Sequence, residues 1–314
     1  MIVVSEFMAP SGADLLAASG RKVISEPTLW REPERLQQAL TEAEALIVRN
    51  QTQVTAHLLA QAPHLRVIGR LGVGLDNIDL AAARQRGIVV TAGRNANAIA
   101  VAEYVMAALL HDARDLAAAD ASVRSGSWDR QHFGGFELWG RTLGLIGVGE
   151  IGRRVAKRAR AFGMQVIGYD PLVGPYDFAP GEQEIALLAL DEVLSRADAI
   201  SLHVPLIPAT RHLINAERLR LLRPNAILIN SARGGIIDEA ALLEALNAGH
   251  LRRAVLDVRE IEPPPPDDPL RTCPSVILTP HIAGLTAEAQ ERTARLVVTD
   301  VLQVLAGGKA IGAV

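Results

Sequence analysis

Three residues with complementary chemistry stand just beyond apolar, strand-like stretches in the second half of the chain. Arg233 follows Ile227-Leu-Ile-Asn-Ser-Ala232, Glu262 follows Ala254-Val-Leu-Asp257 by a short loop, and His281 follows Val276-Ile-Leu-Thr-Pro280. In folds built on parallel strands, ligands bind outside the carboxyl ends, so all three side chains could face one crevice. A guanidinium holds a carboxylate through its planar fork of donors. An imidazole titrates near neutrality and can exchange a proton with a reacting oxygen. A carboxylate bonded to that imidazole orients the ring and favours its charged form. These are the groups that hydride transfer to or from a small hydroxy or keto acid requires. Each also fits a satisfied surface loop, and the sequence leaves that reading open.

A candidate carrier of hydride is signalled upstream. The run Thr142-Leu-Gly-Leu-Ile-Gly-Val-Gly-Glu-Ile-Gly152 spaces Gly147, Gly149 and Gly152 as GxGxxG between a strand pattern and a helix pattern. That context, rather than the spacing alone, points to dinucleotide binding. Gly147 would make the tight turn, Gly149 would let backbone approach a pyrophosphate, and Gly152 would let helix pack on strand. A helix starting near Ile151 would aim its free N–H groups at the anion. The next strand, Gln165-Val-Ile-Gly-Tyr-Asp170, ends in a carboxylate eighteen residues after Gly152 (170 − 152). An acid at this spacing accepts from the adenosine ribose and repels a 2′-phosphate, so NAD is expected rather than NADP. His203, also at a strand end, could contact the cofactor or cap the turn before Pro205.

The elements that must position these residues fall into two series. Strand patterns at Ile2–Val4, Ala45–Val48, Leu65–Arg70 and Gly87–Thr91 alternate with Ala/Leu-rich segments, as in a parallel sheet covered by helices. A long helix over about Ala98–Leu116 leads away from them. Six further strands are expected, at Leu143–Ile146, Val166–Tyr169, Ala199–Leu202, Ala226–Asn230, Ala254–Asp257 and Val276–Leu278, matching a doubly wound nucleotide-binding sheet. The last helix, about Ala287–Leu305, has no strand left to feed and is expected to return to the first domain. The fold class is therefore α/β: residues 98–285 as a Rossmann-type NAD-binding domain, and residues 1–97 with 286–314 as a smaller, discontinuous substrate domain. Trp128, Phe133, Phe136 and Trp139, in the loop 126–140, could make a subunit contact or anchor the loop.

With 314 residues, 49% hydrophobic and 21% charged, the chain has the composition of a globular protein. A formal charge of −3 and a pI near 6.3 offer no field to attract nucleic acid or anionic lipid. The basic run Arg153, Arg154, Lys157, Arg158 and Arg160 reads as a solvated helix face. The single cysteine, Cys273, excludes an internal disulfide, no Cys/His cluster has metal-ligand spacing, and neither a signal peptide nor a membrane span is evident. A cytoplasmic protein without metal is expected.

Gly147–Gly152 with Asp170, Asn230-Ser-Ala-Arg-Gly-Gly-Ile-Ile-Asp238, Leu256-Asp-Val-Arg-Glu-Ile-Glu-Pro263 and Thr279-Pro-His-Ile-Ala-Gly284 together resemble the D-isomer-specific 2-hydroxyacid dehydrogenases. The resemblance extends through Ile47–Thr55, Arg70–Asp79 and Asn95–Glu103, and within the family is nearest the phosphoglycerate dehydrogenase branch. It implies a flavodoxin-like substrate domain, Arg233, Glu262 and His281 as the catalytic set, and a homodimer. It implies NAD contacts from Gly147, Gly149, Glu150, Ile151, Gly152, Asp170, His203, Pro205, Thr210, Ser231, Ala232, Arg233, Asp257, His281 and Gly284. Arg49, Asn50, Val73 and Gly74, with Arg233, would reach a small 2-hydroxy or 2-keto acid. Two departures bear on that acid: Arg259 stands where the family commonly has an aromatic or apolar residue, and Gln53 where the phosphoglycerate branch often has a cation. Phosphoglycerate, hydroxypyruvate, glyoxylate or a related acid remain open. Glu262 stands where the formate dehydrogenase branch has glutamine. No extension for a regulatory domain follows Val314, so serine feedback is not expected. The alternative from another class is a non-catalytic NAD-sensing protein on the same fold.

Overall fold

In the computed structural model, which describes residues 1–174 and 185–314, the chain divides into two compact units. One is Met1–Asn97 with Leu285–Val314; the other is Ala98–Gly284. The second break lies one residue before the expected position.

The first unit alternates strand and helix: β1 (Ile2–Val4), α1 (Pro10–Ala18), β2 (Val23–Ser25), α2 (Pro33–Leu40), β3 (Ala45–Val48), α3 (Ala56–Ala60), β4 (Val67–Arg70), α4 (Leu80–Gln85) and β5 (Val89–Ala92). All pairings between named strands are parallel, in the order β2-β1-β3-β4-β5. This is the flavodoxin-like arrangement. The central strands read as unbroken apolar runs because both sheet faces are covered. Strand β2 has no place among the expected strands. Its three residues lie at the sheet edge, none of them fully buried, and three residues carry too little pattern to separate a strand from a loop.

The second unit contains α5 (Ala98–Arg114), α6 (Leu116–Arg124), β6 (Thr142–Ile146), α7 (Glu150–Ala161), β7 (Gln165–Tyr169), β8 (Ala186–Leu187), α8 (Leu190–Arg196), β9 (Ala199–Leu202), α9 (Ala216–Leu219), β10 (Ile227–Asn230), α10 (Glu239–Asn247), β11 (Arg253–Leu256) and β12 (Val276–Leu278). Its parallel sheet runs β12-β11-β10-β9-β6-β7-β8, reversing direction between β6 and β9. A Rossmann sheet has this order, with β12 as a seventh strand. Helices α5 and α7 bury one face through Val105, Leu109, Val155 and Ala159; α8 and α10 bury the other through Val193, Leu194 and Leu242. The additional strand is the two-residue β8, whose Ala-Leu sequence reads as helix.

The helix expected to reach Leu116 stops at Arg114, because Asp115 takes a left-handed φ of 20° and its carboxylate caps α6 by accepting from the Ala118 N–H (3.1 Å). No residue of α6 is buried. Of the loop aromatics, Phe136 packs against the core with the Arg141 and Arg252 guanidinium groups 4.3 and 4.5 Å from its ring, whereas Trp128 and Trp139 are 77% and 76% exposed. The basic run is not wholly solvated. Arg154 pairs with Glu150, Arg158 with Glu103 at 3.1 Å, and Arg153 Nε donates to the Val148 carbonyl.

Helix α11 (Ala287–Leu305) belongs to the first unit, as its lack of a following strand implies. Ala294, Val297, Val298, Val301 and Leu305 form its buried stripe, and each buried valine contributes about 1.5–3 kcal/mol. Asp300 on the same helix is also buried, and accepts from Thr91 Oγ1 (2.6 Å), Ile311 N (2.9 Å) and Gly312 N (2.7 Å). Among the described residues, no helix is long and apolar enough to cross a membrane.

Candidate active site

The carboxyl edge of β10, β11 and β12 brings together two of the three side chains singled out in the sequence and places the third beside them. His281 Nδ1 lies 2.7 Å from Glu262 Oε2. The other oxygen, Oε1, accepts the Arg259 N–H at 2.9 Å. Burial opposes ionisation of Glu262. The bonds from His281 and the Arg259 N–H, with the nearby Arg233 charge, outweigh it and hold the carboxyl below the ordinary glutamate value. Arg233 is half-buried, and its Nη1 donates to the Ala232 carbonyl.

Buried polar residues at the strand ends fix these loops. Asp257, 1% exposed, accepts from Thr279 Oγ1 (2.6 Å), Ile282 N (2.7 Å) and Ala283 N (2.8 Å), while its carbonyl accepts the His281 N–H. That grip holds His281 at φ 57°, a conformation a side chain other than glycine adopts only under constraint. Tyr104 on α5 lies 2.7 Å from Thr279 Oγ1; the latter donates to Asp257, so the phenol donates to Thr279. Burial pushes the Tyr104 phenol up to about 12, so it keeps its proton. Asn230 plays the matching part on β10, taking the Ala232 N–H and donating to the Arg233 carbonyl. Ser231 Oγ is buried without a hydrogen-bond partner among the described residues.

The glycine loop joins β6 to α7 on the same sheet. Gly147 has φ 97°, and a Cβ there would lie 2.5 Å from the His203 carbonyl oxygen; at Gly152 it would lie 2.4 Å from that of Gly147. Both glycines are required by the protein's own packing. Gly149 is different, since a Cβ would meet nothing within 4 Å. Its open side, next to the first-turn amides of α7, is the space a pyrophosphate would fill. Asp170 stands at the end of β7 and accepts from Val148 N (2.8 Å) and Leu172 N (2.9 Å), so it also braces the loop. Burial pushes His203 down to about 4, leaving a neutral ring 3.0 Å from Ser201 Oγ. Thr210 spends its hydroxyl inside its own loop, donating to the Pro205 carbonyl and accepting from Ile207 N.

Residues 106–283 match the pattern of the D-isomer specific 2-hydroxyacid dehydrogenase NAD binding domain. The chain belongs to that family. It is 48% identical over 274 residues to D-3-phosphoglycerate dehydrogenase of Methanocaldococcus jannaschii, covering 87% of this chain and 52% of that one. It is 44% identical over 305 residues to (S)-sulfolactate dehydrogenase of Chromohalobacter salexigens, covering 97% and 98%. The chain thus spans about half the length of the phosphoglycerate dehydrogenases it matches. D-lactate dehydrogenase of Aquifex aeolicus, solved with NAD and lactic acid, superposes with a TM-score of 0.84 at 32% identity, covering 98% of this chain and 95% of that one. In this 2-hydroxyacid dehydrogenase family member the glycine loop, Asp170 and the orphaned Ser231 hydroxyl fit an NAD molecule.

In the first unit, the residues expected to reach the acid lie at the carboxyl ends of β3 and β4. The loop Arg49–Thr52 wraps the buried carboxylate of Glu6, which accepts the N–H groups of Arg49 (2.8 Å), Asn50 (3.1 Å), Gln51 (3.0 Å) and Thr52 (3.0 Å). Asn77 ties the same loop from the other side through the carbonyls of Arg49 and Thr52. The Arg49 guanidinium is half-buried, makes no side-chain hydrogen bond among the described residues, and is pushed down by burial. Val73 is exposed, Gly74 half-buried, and Arg70 lies over Gly72, where any side chain would collide with its guanidinium. Gln53 is exposed and bonds weakly to Gln51.

Of the two departures noted in the sequence, Arg259 has its guanidinium buried in ion pairs with Glu239 and Asp268. Glu6 and Tyr104 lie in none of the quoted segments, and their partners are 43 to 46 and 175 residues away; Asn77 and Thr279 lie within such segments but were given no role there, and the partners that reveal it are 22 to 28 residues away.

Because Glu262 is depressed in the folded state, it adds stability that is full above the ordinary carboxylate value and is lost as pH falls through the folded one. Glu262→Gln should therefore flatten the acid side of the stability curve between pH 6 and about 3 while leaving the alkaline side unchanged. Urea denaturation at a series of pH values measures this, and an unaltered acid slope contradicts the assigned hydrogen bonds.

Proposed function

We propose that the protein is an NAD-dependent oxidoreductase acting on C2 of a small D-2-hydroxy or 2-keto acid, with Arg233, Glu262 and His281 as its catalytic residues. The observation that carries the reading is the 2.7 Å contact between Glu262 and His281 Nδ1, on the strand edge that also bears Arg233. With Nδ1 committed to Glu262, Nε2 is the atom left to exchange a proton. When bound, the nicotinamide supplies or accepts the hydride at its C4. In the reducing direction the proton on His281 Nε2 passes to the carbonyl oxygen as C2 gains hydride, so keto becomes hydroxyl. In oxidation the neutral ring takes the hydroxyl proton. Glu262 stays ionised throughout, orients the ring and stabilises its charged form. Arg233 would polarise the carbonyl and hold the carboxylate.

The names of the relatives support an acid substrate, since they include enzymes of phosphoglycerate, sulfolactate and lactate. Arg49, Asn50, Val73 and Gly74 are the candidates for holding it. A cytoplasmic homodimer is the assembly we assign: α6 buries none of its residues, and Leu116, Val123, Trp128 and Trp139 are all exposed nearby in sequence, as a subunit contact would require.

His281→Ala should lower kcat by roughly 10²- to 10⁴-fold while NADH binding, followed by fluorescence, persists. Turnover equal to wild type removes the histidine from the mechanism. The substrate is sought by following NADH absorbance with glyoxylate, hydroxypyruvate, phosphohydroxypyruvate, sulfopyruvate and larger keto acids in parallel. Silence across that panel with NADH binding intact would identify a non-catalytic NAD-sensing protein instead.

Asp170→Ala should weaken NADH binding by about 10- to 100-fold, the worth of a charged hydrogen bond, and improve NADPH relative to NADH. An unchanged cofactor ratio would exclude Asp170 from ribose recognition. Sedimentation equilibrium should give twice the chain mass, and a single species at the monomer mass of 33.6 kDa at micromolar concentration would refute the dimer.

A further inference from the structure

The charge of Arg259 lies where water hardly reaches. The side chain is 7% exposed. Nε and Nη2 donate to the two oxygens of Glu239 at 3.0 and 2.9 Å, and Nη1 donates to Asp268 at 2.6 Å. One acid comes from another element and the other from the far end of the loop that carries Glu262. Glu239 opens α10, and Asp268 caps the short turn Pro269–Thr272. Glu239 Oε1 also accepts the Glu260 N–H at 2.9 Å.

The same residue reaches the catalytic pair through its backbone, because its N–H donates to Glu262 Oε1. Its carbonyl packs against Gly234, where a Cβ would lie only 1.9 Å from the Arg259 oxygen. The loop is thus pressed onto the segment that carries Arg233. A buried ion network gains little stability over a well-packed apolar residue, since desolvation offsets the attraction. What it adds is direction: a bidentate pair and a second carboxylate fix the guanidinium in angle as well as position.

We propose that Arg259, clamped by Glu239 and Asp268, is a positioning residue that holds its own N–H on Glu262 Oε1 and thereby keeps Glu262 aligned on Nδ1 of His281. The inference rests on the reading of Glu262 and His281 as the catalytic pair. The clamp reaches Glu262 through the Arg259 N–H, whereas Asp257 holds the segment of His281, so the carboxylate and the imidazole are held by different sets of bonds.

The test uses the full chain with Arg259→Met, Arg259→Lys and Glu239→Gln. Arg259→Met should lower kcat roughly 10- to 100-fold, as small misplacements of catalytic groups do, with KM for the acid and the NADH Kd within about twofold of wild type. Arg259→Lys should recover part of the loss. The Glu262 carboxyl, followed by carbon NMR without substrate, should titrate at higher pH in Arg259→Met than in wild type. If Arg259→Met does not fold, Glu239→Gln keeps the volume and decides the same points. Lower thermal stability with wild-type kcat, pH profile and Glu262 titration would mean a purely structural ion cluster and would overturn the proposal. If wild type turns over no acid, the functional reading fails, while the Glu262 titration still decides the clamp.

Discussion

The hydrogen bond between Glu262 and His281 can be no more accurate than the loops that carry its two ends, and the His281 loop is governed by the buried carboxylate of Asp257. An ionised aspartate 1% exposed would be costly without compensation. It is compensated by a hydroxyl and two backbone amides, all from the segment between Thr279 and Ala283. Moving that segment would leave a buried charge short of donors. The left-handed His281 backbone is therefore sustained by an electrostatic penalty on every alternative, and β11 passes its rigidity directly to the imidazole. Asn230 does the same for Arg233 on the neighbouring strand, with an amide in place of a charge.

The first unit solves a similar problem with Glu6. Four consecutive backbone amides converge on its carboxylate, an arrangement that in other settings binds an external anion. Here the anion is covalently part of the chain, so the Arg49–Thr52 loop is organised before any ligand arrives. Arg49 carries a half-buried guanidinium that makes no side-chain hydrogen bond among the described residues and feels the charge of the same Glu6 carboxylate, so one acid orders the loop's backbone and offsets its cation.

Legibility in the sequence followed how local each signal is. The glycine loop, Asp170 and the strands flanking them lie within 29 residues (142 to 170), and turn, helix start and strand end each have their own residue preference. Helix α11 was legible to its ends because Thr286 caps it and its apolar period is regular. Strands β2 and β8 were not, since two or three residues at a sheet edge show neither period nor full burial. The break at Asp115 was hidden because alanine-rich sequence favours helix on both sides of it. Arg233, Glu262 and His281 were legible through strand-end position and resemblance. Their supports were not: Glu6 and Tyr104 meet their partners only through the sheet register and helix packing, which no linear pattern encodes.

Arg259 shows how little of a residue's role is revealed by its position relative to a motif. Its N–H faces Glu262, three residues on, and its guanidinium is taken up by Glu239 and Asp268 on the α10 side. The guanidinium is met by two acids at fixed places, one opening α10 and one capping a turn nine residues on, and each acid also takes a backbone N–H, of Glu260 and of Leu270, so the cation ties two separate backbone segments to the loop that carries Glu262.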